Sequence, residues 1–385
     1  MTNILCIAGA GSGKTEKIIS EAIEEINSGG KVLVVTYTTS NQQELRKRFI
    51  LKYGKNSENF IVKGLFTFYL EDMIRPHQKI FFQRRIDSFV FDERNPHLVP
   101  GGTFYYTGRQ EYLENKTINP AHYLTSCRTK AHSGFLAKLA TRIAVATKNK
   151  PAIRLSEIYT KIYFDEVQDL IGWDYDVIDK ISKIMKSGIT CVGDFRQTLY
   201  DTTFGHKAPQ TAEKKLEAFK KMRFTDVFLP ANHRCIQEIC YFADEVHKGL
   251  YPATVSAVRE IPAQFGQHVG VYIVKESDII DYIATYEPVV LRWSVSSGNK
   301  ILPVSAPKIT FGNSKGLGFD RVLVVLTPAL SEFILQNGYS FPASAETNKN
   351  KMYVAITRAR YSLAFIVNDA QAEGLRIPVW KKPDN

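Results

Sequence analysis

Short, unbroken apolar runs alternate with segments of helical period along most of the chain. Asn3–Ala8 (NILCIA) reads as a buried strand that ends at glycines. Glu16–Ser28 then sets Ile18, Ile19, Ala22, Ile23 and Ile26 on one helical face, closed by Gly29 and Gly30. Lys31–Thr38 (KVLVVTYT) is a second strand, and Ser40 with Gln43 has the spacing of a capping box for a basic helix through Lys52. Further strand-like runs lie at Lys161–Phe164, Ile189–Val192, Val289–Leu291, Arg321–Leu326 and Ser362–Val367. Continuous apolar strands separated by helices predict an α/β fold with parallel sheets covered on both faces.

At 385 residues and 44% hydrophobic content, the chain has enough material for two or three domains with their own cores. Its net charge of +11 favours a polyanionic partner through counterion release: nucleic acid first, a membrane surface second. No apolar run approaches the ~18 residues of a membrane span, and no leader pattern opens the chain, so a cytoplasmic location is expected. The five cysteines (Cys6, Cys127, Cys191, Cys235, Cys240) lack paired spacing and read as small apolar residues.

The alternation breaks over residues 76–150. Ten aromatics (Phe81, Phe82, Phe89, Phe91, Phe104, Tyr105, Tyr106, Tyr112, Tyr123, Phe135) are interleaved there with twelve basic and five acidic side chains, a surplus of seven positive charges. Cations that track phosphates beside rings that stack on bases suit a single strand, with Arg84, Arg85 and Arg109 as candidate contacts. A small subdomain with its own aromatic core and a solvated charged surface accounts for the same composition.

Candidate chemistry begins at Ala8–Thr15 (AGAGSGKT), between a strand and a helix. Glycines let the backbone of Ala8, Gly9, Ala10, Gly11, Ser12 and Gly13 close around phosphates, and Lys14 adds charge on the terminal oxygens. Thr15 is placed to ligate Mg2+. Lys161–Asp169 (KIYFDEVQD) ends a strand in adjacent carboxylates: Asp165 suits the metal, and Glu166 suits proton acceptance from an attacking water. In Val192–Tyr200 (VGDFRQTLY), Gln197 is placed to sense a γ-phosphate, while Asp194 and Arg196 read equally as a local ion pair.

Together with Asn232–Arg234 (NHR), Ser314–Val322 (SKGLGFDRV) and Val354–Arg360 (VAITRAR), these stretches resemble the ordered motif series of UvrD/Rep-like superfamily 1 DNA helicases, over about residues 4–368. The resemblance implies two RecA-like P-loop NTPase domains with ATP in the cleft between them, at 1–75 with 151–225 and at 226–385, and a 1B-like basic insertion at 76–150. It implies ATP and Mg2+ as ligands. It also implies Lys14, Thr15, Asp165, Glu166 and Gln197 on one side of the nucleotide, with Arg234 and Arg358 as arginine fingers on the other. His233 takes the place of the Tyr that stacks on the base, and Gly316 falls in the stretch that borders the nucleotide. Tyr37, Thr39, Thr67 and Tyr69 match strand-contacting positions, Thr310 and Lys315 match phosphate or coupling positions, and Phe204 reads as a stacking ring or a core residue.

Several departures qualify the match. Gly312 and Gly318 stand where the family carries His and Glu, and only seven residues precede Ala8, leaving no room for the segment that reads adenine. The base is therefore expected to be read poorly. Fewer than 20 residues, rich in Ser, Pro and Gly, separate Leu291 from Thr310, where processive relatives insert a large subdomain. A loop and a reduced motor are expected. The implied function is a single-stranded-DNA-stimulated ATPase, translocase or helicase, with DNA favoured over RNA. The alternatives are a nucleotide-gated subunit partnered with a nuclease or effector, as in phage-defence systems of the Gabija kind, and a non-catalytic nucleic-acid-binding module.

Overall fold

Ile4–Ala8 forms strand β1, and the glycine-rich turn after it leads into helix α1 (Lys14–Asn27), which buries Ile18, Ile19, Ala22 and Ile26. The computed structural model describes residues 2–92, 94–99, 102, 104–198, 207–336, 341 and 346–383. The chain divides into two compact units. One comprises Met1–Ile7, Lys14–Gly193 and Tyr200–Val227; the other comprises Ala8–Gly13, Asp194–Leu199 and Phe228–Asn385.

The first unit is organised by strands β2 (Val32–Thr36), β3 (Phe60–Gly64), β6 (Lys161–Asp165), β7 (Ile189–Gly193) and β8 (Thr225–Leu229), in the sheet order β3-β2-β6-β7-β1-β8. The pairs β2–β3, β2–β6, β6–β7 and β1–β7 are all parallel, with Val34 opposite Val62 and Tyr163, and Cys6 opposite Val192. Every residue of β2 and β7 is buried, as both faces of a helix-covered parallel sheet require. Parallel pairing sends the ends of β1, β2, β6 and β7 to one edge of the sheet, where ligands of open α/β sheets bind.

Helix α2 (Thr39–Tyr53) starts two residues earlier than the Ser40–Gln43 spacing predicts. Thr38 is its N-cap, and its Oγ1 accepts from the Asn41 amide at 3.2 Å. Three hydroxyl residues run together here, and the first with extended backbone takes the capping role.

Residues 76–150 divide between the two readings of their composition. Phe82, Tyr123 and Phe135 are buried, whereas Phe91, Phe104, Tyr105, Tyr106 and Tyr112 are exposed. Strands β4 (Ser88–Val90) and β5 (Lys130–His132) pair in parallel. Helix α3 (Leu136–Ala146), which the sequence reading did not single out, buries Leu136, Leu139, Ala140 and Ile143.

The second unit carries a five-stranded sheet: β11 (Gly270–Lys275), β12 (Val289–Arg292), β13 (Lys308–Thr310), β14 (Phe319–Val325) and β15 (Ala359–Val367), in the order β11-β15-β14-β12-β13 and parallel throughout. A short parallel pair, β9 (Ala231–Asn232) with β10 (Val255–Ser256), stands apart from it. One face packs Ile239 and Phe242 of helix α4 (Gln237–Glu245) and Met352 and Ile356 of helix α5 (Glu346–Ile356) against Val324 and Phe365. The opposite face packs Ile279, Tyr282 and Trp380 against Val274, Leu323 and Ala364. Turns alone join Arg292 to Lys308.

Candidate nucleotide and nucleic-acid site

Between β1 and α1 the chain turns tightly, with the Ser12 amide donating to the Gly9 carbonyl at 3.3 Å. Gly11 (φ +71°) and Gly13 (φ +81°) hold left-handed backbone that a side chain would strain. A Cβ on Gly11 would also lie 2.8 Å from Asn232 Oδ1. Ser12 Oγ is buried with no partner among the described residues, so an acceptor-rich group in the loop would satisfy it. Lys14 and Thr15, half-buried, open the first turn of α1, where amides and helix dipole favour an anion. The backbone of Ala8–Gly13 is held within the second unit: the Ala10 amide donates to Tyr353 Oη at 3.2 Å, and the His233 amide donates to the Gly11 carbonyl at 2.8 Å. The exposed His233 ring lies beside Gly13, 3.7 Å from where a Cβ would stand.

In the first unit, Asp165 ends β6 and is buried. Glu166 follows with φ +57°, a conformation that costs a non-glycine residue free energy and recurs at functional sites. Gln168 Nε2 donates to the Glu166 carboxylate, and the Gln168 carbonyl accepts from the fully buried Lys215 at 2.6 Å. A threonine hydroxyl and one or two carboxylates, completed by water and phosphate oxygens, form an ordinary Mg2+ donor set, and Thr15 with Asp165 fits it.

In the second unit Asp194 and Arg196 form the ion pair that the sequence left open, at 3.0 Å. Arg196 also pairs with Asp244 at 3.5 Å and stacks over Tyr251 and Tyr353, 5.0 and 4.8 Å from their centroids. Gln197 is held by Asp194, its Nε2 donating to Oδ2 at 2.7 Å, and its Oε1 accepts from Arg358 Nη2 at 3.4 Å. Arg358 is only 1% exposed. Its remaining donors reach the carbonyls of Val354, Ser314 and Leu317 at 3.0, 3.3 and 3.1 Å and Thr357 Oγ1 at 3.2 Å. Burial, then the neighbouring Arg234, pulls its pKa down to about 9. Arg234 donates to the carbonyls of Thr357 and Gly316 at 3.2 and 3.5 Å, so one short loop wraps both guanidinium groups. Gly318 leaves room for this, since a Cβ there would lie 3.1 Å from Arg234 Nε.

Sequence reasoning missed Tyr353, Ser314 and Asn232 as supports of this cluster. Tyr353 sits inside an apolar helical run, and its second role shows only in long-range contacts, the Arg196 guanidinium over its ring and the Ala10 amide at its hydroxyl.

The expected strand contacts separate. Thr39 is exposed on the first turn of α2, Tyr37 and Thr67 are half-buried, and Thr310 at the end of β13 accepts from the Asn313 amide at 3.4 Å. Tyr69 is a correction: it is 1% exposed and its hydroxyl donates to Asp174 at 2.7 Å, so no ring face is open to a base. Phe204 lies outside the described residues. Arg84 and Arg85 are exposed, whereas Arg109 is half-buried and donates to the Ala121 carbonyl at 2.7 Å. Lys138 and Arg142 are drawn into a pair with Glu111. Burial alone would push the Glu111 carboxyl up, but Arg142, Tyr123 and Lys138 together hold it at about 2.

Residues 1–93 match the family of UvrD/REP helicase N-terminal domains. The chain is 24% identical over 241 residues to Gabija protein GajB of Bacillus cereus (strain VD045), covering 62% of this chain and 45% of that protein. It is similar to the solved arterivirus nonstructural protein 10 (helicase), with TM-score 0.42 and 14% identity over 97% of this chain and 62% of that one. Against the complex of that protein with DNA the values are 0.44, 15%, 97% and 63%. This chain thus spans less than half the length of the curated relative it matches. Among the described residues no helix is long and apolar enough to cross a membrane.

Proposed function

We propose, from the premise that this chain is a UvrD-like helicase, that it hydrolyses ATP under stimulation by single-stranded nucleic acid, DNA in preference to RNA. The loop at Ala8–Gly13 receives the phosphates, Lys14 neutralises them, and Glu166 takes the proton of the attacking water. Thr15 and Asp165 would hold Mg2+, which would supply positive charge to offset that of the phosphates. Gln197 orients the γ-phosphate, and Arg234 and Arg358 stabilise the charge that develops on it. The domains proposed follow the motif series, 1–75 with 151–225, the insertion 76–150, and 226–385, with Ala8–Gly13 and Asp194–Leu199 packed in the second compact unit.

One observation carries this reading: a strand and a 14-residue helix flank a turn with two left-handed glycines and a buried serine hydroxyl that has no partner among the described residues. The test is phosphate release with and without oligothymidylate, for wild type and Lys14→Ala. Turnover that rises with oligonucleotide and vanishes in the variant supports the motor. Turnover indifferent to oligonucleotide removes the motor but keeps the enzyme, and turnover that survives in Lys14→Ala removes the assigned loop. The likeness to GajB favours one second reading, a nucleotide-gated subunit in antiviral defence that acts with a nuclease or effector.

A further inference from the structure

Four rings in the first unit touch in series. Tyr37, just after β2, meets Phe66 edge-on with centroids 5.8 Å apart. Phe66 meets Phe89 at 5.8 Å and Phe91 at 5.5 Å, and Phe89 and Phe91 cross at 5.2 Å and 87°. Such edge-to-face contacts are favourable beyond area burial and fix ring orientation. Phe66 is buried, Tyr37 and Phe89 are half-buried, and Phe91 is 73% exposed.

Single exposed aromatics are ordinary on protein surfaces. Phe91 differs in being held on both sides of the chain. Phe89 lies in β4, opposite Ala131 of β5, and Asp92 pairs with His132 at 2.9 Å. Exposed cations flank the same strands: Arg84 and Arg85 precede β4, Arg128 precedes β5, and Lys130 lies opposite Ser88. Among the described residues of this stretch Asp87 is the exposed acid, while Asp92 is taken by His132. The ring series starts at the sheet edge where Tyr37 and Thr39 lie and ends at a solvent-facing ring just past the end of β4, in a segment whose exposed cations lie at the starts of β4 and β5.

We infer that Phe91 is a base-stacking platform for single-stranded nucleic acid, braced edge-on by Phe66 and Phe89 and continuous with Tyr37. The assignment rests on the nucleic-acid reading above and adds to it the residue that holds a base. An exposed ring stacks on any base, so the platform is tolerant of sequence.

The test uses the full chain and fluorescein-labelled oligothymidylate, with Kd measured by anisotropy across a salt series. Base–aromatic stacking contributes ~1–3 kcal/mol, so Phe91→Ala and Phe91→Leu should each weaken binding about 5- to 150-fold at every salt. Their log–log salt slope should stay unchanged, because a ring releases no counterion. Phe91→Trp should bind like wild type and show added indole quenching on oligothymidylate. Reversing both Arg84 and Arg85 should instead flatten the slope by about 1.4. If wild type binds and both truncations bind within twofold of it, or if the introduced indole is not quenched, the platform is overturned while the motor reading stands. If wild type does not bind the strand, both fall.

Discussion

At the scale of single residues, the two arginines of the proposed transition-state cluster predict different experiments. Arg234 is half-buried, so Arg234→Ala should lower kcat at least about a thousandfold with little change in the urea midpoint. Arg358→Ala should do the same and also destabilise, since it empties a buried site and removes the charged donor that ties together the carbonyls of Val354, Ser314 and Leu317. Stopped turnover with both midpoints unchanged would show that the carbonyl cage contributes nothing to the fold. Glu166 offers a third case. Asn accepts left-handed backbone more readily than Glu and cannot serve as a base at neutral pH. Glu166→Asn should therefore raise the urea midpoint while removing turnover, and a lowered midpoint would mean that the contact with Gln168 outweighs the backbone cost.

At the scale of elements, β1, β2, β6, β7, β12, β14 and β15 were legible as unbroken apolar runs, and the ends of β1 and β6 carry their polar residues in sequence, whereas β3, β8, β11 and β13 were not singled out. Long-range pairings were not legible. Tyr69 reads as a surface ring until Asp174, 105 positions later, accepts its hydroxyl. Helix α3 has no side-chain cap to announce it within a stretch rich in charge and rings. Elements also carry a pH response. Burial pushes His97, beside His122, His132 and Arg109, down to about 4. It does the same to His247, facing Arg196, Asp194 and Lys349, and to His268, facing Arg321. Their contribution is complete above the ordinary 6.5 and is lost as pH falls towards 4, because the unfolded chain takes up protons that the folded one refuses. The urea midpoint should be lower at pH 5 than at pH 7.5 by at least about 0.5 M, with a smaller fall in His268→Phe. An equal or higher midpoint at pH 5 would refute the sign.

At the scale of the whole molecule, the positive balance predicts strand-stimulated turnover that fades with salt, with a slope near 0.7 per neutralised phosphate. Because turns alone join Arg292 to Lys308, the isolated chain should separate little duplex despite turning over ATP. Processive strand separation on a tailed duplex by the purified chain would sink that expectation. The positions of the proposed site were readable from the motif series, but its packing was not: Ala8–Gly13 and Asp194–Leu199 belong to the unit that Phe228–Asn385 completes. Translation order gives this division a meaning of its own. The loop at Ala8–Gly13 leaves the ribosome well before Tyr353, which holds the Ala10 amide, and before β15, which ends at Val367, both made on the order of half a minute later. A nascent chain halted before Tyr353 should therefore bind no nucleotide and should leave the loop at Ala8–Gly13 open to protease, so that the site becomes competent only after Tyr353 has been made.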